Sequence, residues 1–95
     1  MPKYVMLTKL TDEGAKTIRD NPGRIMEVDR EMEAYGIKVE MQLALLGEYD
    51  FVTVIEAPDN VSVARASIDL SRRGTLRVRT LPAIEMAEFT AGLTG

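Results

Sequence analysis

The chain reads as an α+β domain of the ferredoxin-like plan, β-α-β-β-α-β in a four-stranded antiparallel sheet with both helices on one face and a short C-terminal helix. Three observations carry that expectation. Segments of period two and of period three to four alternate in the order strand, helix, strand, strand, helix, strand along 95 residues. The first and third strand segments are apolar on both faces, whereas the second and fourth are apolar on one. Central strands buried on both faces between half-wetted edges is the pattern this plan requires. Finally, 45% hydrophobic and 28% charged residues are ordinary globular composition, and 95 residues suffice for one core, so a single domain over residues 1–95 is expected.

The first strand is expected over residues 3–10, ending at Thr11-Asp12-Glu13, whose side-chain oxygens can accept the free N–H groups that open a helix. That helix runs through Ile18 and breaks at Asn21-Pro22-Gly23, where Pro22 disfavours helical geometry at Asn21. Beyond the break Ile25, Val28, Met32 and Tyr35 recur at steps of three and four, and Gly36 ends the segment. From Ile37 to Leu46 the pattern changes to period two. Val39, Met41, Leu43 and Leu45 are expected on one side and Lys38, Glu40 and Gln42 on the other.

Leu46 to Asp50 makes a glycine-containing turn into Phe51–Ala57, a nearly continuous β-branched and aromatic run. Pro58-Asp59-Asn60 stops that strand and caps a helix over about Val61–Arg73, with Val61, Ala64 and Ile68 on one stripe and Gly74 after it. Leu76, Val78 and Thr80 alternate with Arg77 and Arg79 in a fourth strand. Met86, Phe89 and Leu93 are then spaced as a short closing helix.

Composition removes several function classes. With no Cys and no His, thiolate and imidazole metal sites, cysteine nucleophiles, Ser-His triads and disulfides all lose their chemistry. Ser62, Ser67 and Ser71 have no histidine to activate them, and Met6, Met26, Met32, Met41 and Met86 read as packing rather than cofactor ligands. Glu48, Asp50, Glu56 and Asp59 lack the spacing of a calcium loop. No metal and no cofactor are expected. The net charge is −3, with five Arg and one Asp in residues 61–81 against an acidic remainder, which does not fit a continuous phosphate-binding face. No apolar run is long enough for a signal peptide or a membrane span. A cytoplasmic protein without nucleic-acid or membrane partners is expected.

Two helices cover one face of a sheet, so the other needs a different cover. The side bearing Tyr4, Met6 and Val52 or Val54 is expected to be the uncovered one, with a second copy of the chain over it; the alternative is that the tail helix folds across it. Glu40 and Gln42 on one margin and Arg77 and Arg79 on the other, with Tyr4 and Met6 between, would then line a cleft for a small anionic or amphipathic metabolite. The bland reading is that these are solvated edge residues.

Gly47-Glu48-Tyr49-Asp50, followed by Phe51-Val52-Thr53-Val54-Ile55-Glu56-Ala57-Pro58-Asp59, resembles the signature of the GYD domain family, as the opening Tyr4–Gly14 and the segment Gly74–Ile84 resemble that family's first and last strands. The resemblance implies a ferredoxin-like subunit of the dimeric α+β barrel type, in a family without an established activity. For the motif itself a structural role is expected: Gly47 permits the turn, Tyr49 lays its ring over the adjoining sheet, and Asp50 accepts backbone N–H groups of the turn. Binding is favoured over catalysis. The alternatives are a cofactor-independent oxygenase or isomerase of the same barrel type, with Tyr49, Asp50 or Glu40 as acid or base, and a purely structural oligomerisation module.

Overall fold

The computed structural model describes residues 1–94. Its elements are β1 (Lys3–Leu10), α1 (Asp12–Asp20), α2 (Arg24–Glu33), β2 (Lys38–Ala44), β3 (Phe51–Glu56), α3 (Asn60–Ser71), β4 (Leu76–Ala83) and α4 (Met86–Thr94). All strand pairs are antiparallel and the sheet order is β2-β3-β1-β4, which makes β1 and β3 central as their two-sided apolar sequences require. The architecture is α+β and ferredoxin-like.

The helix boundaries follow local chemistry. Thr11 caps α1 by accepting the Gly14 N–H at 3.1 Å, and its hydroxyl donates to the Gly74 carbonyl at 2.7 Å, tying the start of α1 to the loop before β4. Gly14 permits that approach, because a Cβ there would lie 1.8 Å from the Thr75 carbonyl oxygen. Asp59 caps α3 by accepting the Ser62 N–H at 2.8 Å, and Gly36, after α2, has the left-handed φ of +75° that glycine tolerates.

The core lies between the helices and one face of the sheet. Tyr4, Met6 and Ile55 from the sheet pack with Met32, Ile37, Val63, Ala66 and Leu70. This reverses one expectation: Tyr4 and Met6 are 4% and 3% exposed beneath the helices, and the uncovered face carries Val5 and Leu7 instead. The alternation of β1 is as expected, but both of its faces are apolar, so alternation alone could not say which one the helices take.

Two further expectations are corrected. In β2 the register with β3 shifts between Val39 and Met41, so Val39 and Gln42 face the helices while Met41 and Leu43 face away. The extra residue of this bulge flips the phase of everything after it. In α3 the buried stripe is Val63, Ala66 and Leu70, and Val61 and Ile68 are exposed. Of the methionines read as packing, Met6 and Met32 are buried, whereas Met26, Met41 and Met86 are exposed.

The tail helix does not cover the bare face. Every residue of α4 is exposed, and it has no substantial packing against another element among the described residues.

Candidate functional site

The uncovered side of the sheet presents an apolar surface ordered by the strands. Strand register sets it out in rows. Leu81, Val5, Val54 and Met41 form one row across β4, β1, β3 and β2; Arg79, Leu7, Val52 and Leu43 form the next. Val5, Leu7, Val52 and Val54 are half-buried, while Met41 and Leu43 on the edge strand are 56% and 53% exposed. Four strands about 4.8 Å apart, up to eight residues long at about 3.3 Å each, give a face of roughly 500 Å².

Charge borders these rows at both ends. At one end Lys3 Nζ lies 2.6 Å from Glu40, 2.9 Å from Glu85 and 3.7 Å from Glu56, gathering β1, β2, β3 and the link into α4 around one ammonium. The Glu40 carboxyl, hydrogen-bonded by Lys3, is held below its ordinary pKa, and the Lys3 ammonium is held well above its own by Glu40 and then Glu85. At the other end stand Lys9, Arg77 and Arg79, with Arg79 donating to the Tyr49 hydroxyl at 3.3 Å.

The turn motif organises this second end. Gly47 has φ of +111°, outside the range that side-chain-bearing residues favour. Asp50 closes its own turn only through its backbone carbonyl, which accepts the Leu45 N–H at 2.7 Å. Its carboxylate accepts the Leu10 N–H at 2.7 Å, and its N–H donates to the Thr8 carbonyl at 2.8 Å, fastening the turn to the end of β1. Tyr49 meets Arg79 of β4 through its hydroxyl, so its side chain extends toward the far edge strand.

Of the predicted ligand-binding residues, Glu40, Arg77 and Arg79 therefore share the bare face. Tyr4, Met6 and Gln42 belong to the opposite side. Tyr4 donates its hydroxyl to Asn60, and Met6 and Gln42 line a cavity of about 70 Å³ between sheet and helices together with Thr8, Asp29, Phe51 and Thr53. That space accommodates a few waters. Gln42 Nε2 donates to Asp29 Oδ1 at 3.3 Å and to Thr53 Oγ1 at 3.1 Å, and partial burial raises the Asp29 carboxyl above its ordinary pKa. Sequence reading missed Asp29, because it stands among the charged residues of α2 and only the β2 bulge brings Gln42 to it. Among the described residues no group of three or more His, Cys, Asp or Glu side chains is placed to hold a metal ion, and no helix is long and apolar enough to cross a membrane.

Comparison with known proteins adds two findings. A family model described as GYD domain matches residues 4–93. A curated relative from Thermus thermophilus, named glutamine synthetase and cystathionine beta-lyase binding protein, is 48% identical over 94 residues, covering 98% of this chain and 99% of the relative.

Proposed function

The chain belongs to the GYD domain family, and from that premise we propose that it is a self-pairing, protein-binding module that docks on metabolic enzymes rather than one that transforms a substrate itself. The observation that carries the self-pairing is the bare apolar face: a row of Leu81, Val5, Val54 and Met41 beside Leu7, Val52 and Leu43 has no catalytic groups at its centre. At about 25 cal/mol per Å² of apolar surface, covering the few hundred Å² between the charged ends is worth several kcal/mol per copy before the cost of association. A second copy suits this face because a two-fold pair buries it on both partners at once.

The relative's name supplies the class of further partner. Glutamine synthetase and cystathionine beta-lyase of the same host are the enzymes to test, and the reading puts the chain in the cytoplasm with whichever it binds. Immobilised chain exposed to each purified enzyme is expected to bind at least one with Kd of about 10 μM or tighter. No binding of either enzyme at several times that concentration would overturn the enzyme-docking reading while leaving self-pairing to its own test.

A finer version adds a small anionic or amphipathic metabolite at the margin of the paired faces. Arg77 and Arg79 support it, since both stand exposed on that side and a guanidinium suits a carboxylate or phosphate. Thermal-shift measurements with carboxylates and phosphates check it: a rise in Tm that Arg77→Ala abolishes is expected.

A further inference from the structure

Helix α4 has no structural reason to exist on a lone chain. Its apolar side chains Met86, Phe89 and Leu93 lie on one stripe and are 71%, 49% and 71% exposed. An isolated helix of nine residues is marginal in water and depends on packing to persist. The chain is also drawn out: its radius of gyration is 14.4 Å with a longest dimension of 51 Å, against about 12 Å for a compact domain of this length.

We propose that α4 is an intersubunit arm, lying against the rim of the bare sheet face of a second copy while the partner's arm lies against the rim of its own. This rests on the self-pairing reading above and adds to it which segment completes the contact. Area is the first argument. A stable pair needs about 800 Å² from each partner, and the sheet face offers roughly 500 Å². An arm of nine residues, about 14 Å long and 10 Å wide, adds roughly 140 Å² of new surface, while the rim it covers on the partner belongs to the sheet face already counted. The sum, about 640 Å² from each partner, comes closer to that size than the sheet face alone.

Continuity is the second argument. The arm leaves the sheet directly from β4, and Glu85, in the link between them, is bound to Lys3 on the bare face at 2.9 Å. Glu85 also accepts the Phe89 N–H at 2.9 Å, so the ion pair on the face and the first turn of α4 are joined through one residue. The edge strand β2 meanwhile leaves Met41 and Leu43 exposed at that face's margin, apolar surface of the kind the stripe of α4 can cover.

The test compares wild type, Phe89→Asp with Leu93→Asp in one chain, and Val52→Asp, by sedimentation equilibrium and by hydrogen exchange of the α4 amides at low and high protein concentration. Because α4 is not packed on its own domain, the arm variant is expected to keep the wild-type urea midpoint at concentrations where the chain is single. It is expected to weaken pairing at least tenfold, and wild-type α4 amides are expected to be protected only at concentrations where pairs form. Pairing that Val52→Asp abolishes but the arm variant leaves unchanged, with α4 amides unprotected throughout, would overturn the arm and leave sheet pairing standing. A wild-type chain that never pairs would overturn both.

Discussion

Burial lifts the Asp29 carboxyl above the ordinary carboxylate range, and the hydrogen bond from Gln42 pulls it only part of the way back. The folded chain therefore holds that proton more tightly than the unfolded chain does, so Asp29 withdraws stability as pH rises through its titration and has no such effect well below it. Asp29→Asn keeps an acceptor for Gln42 and removes the charge. It is expected to raise Tm near pH 7 by no more than about 2 °C, the size of effect usual for a part-exposed site. The gain should vanish near pH 3, and thermal unfolding of both proteins across that range checks it. Asp29 was not legible as a cavity residue, since nothing in its own helix announces a partner on β2. The motif residues were more legible. Gly47 takes the positive φ that glycine permits, but the Asp50 carboxylate finds its backbone donor at Leu10, forty positions earlier, where only the folded sheet brings it.

At the level of elements, α3 and α4 present opposite relations between sequence and packing. Both carry apolar stripes, yet Leu70 of α3 is buried in the core and Phe89 of α4 faces outward. Leu70→Ala is expected to cost about 3 kcal/mol, whereas Phe89→Ala should stay within about 0.5 kcal/mol in urea unfolding at concentrations where the chain is single. Strand and helix order could be read because periodicity and breakers such as Asn21-Pro22-Gly23 are local signals. Which stripe of α3 turns inward could not, because Val61 and Ile68 are as apolar as Val63 and Leu70. The β2 bulge was equally silent: Glu40 and Met41 look like any alternating pair until the register with β3 is known.

For the whole molecule, the decisive feature is an imbalance of cover. A sheet whose middle strands are apolar on both sides receives helices on one side only, and α4, which could have closed the other, does not pack on it. That such a side exists was readable in β1 and β3; that it consists of Val5, Leu7, Met41, Leu43, Val52, Val54 and Leu81 required the register. The most direct measurement is sedimentation equilibrium of the purified chain at about 50 μM, well above the dissociation constant expected of a stable pair. The account predicts a particle of twice the 10.5 kDa chain mass, reduced to the single-chain mass by Val52→Asp with a cooperative unfolding transition retained. A wild-type particle of single-chain mass at that concentration would contradict it.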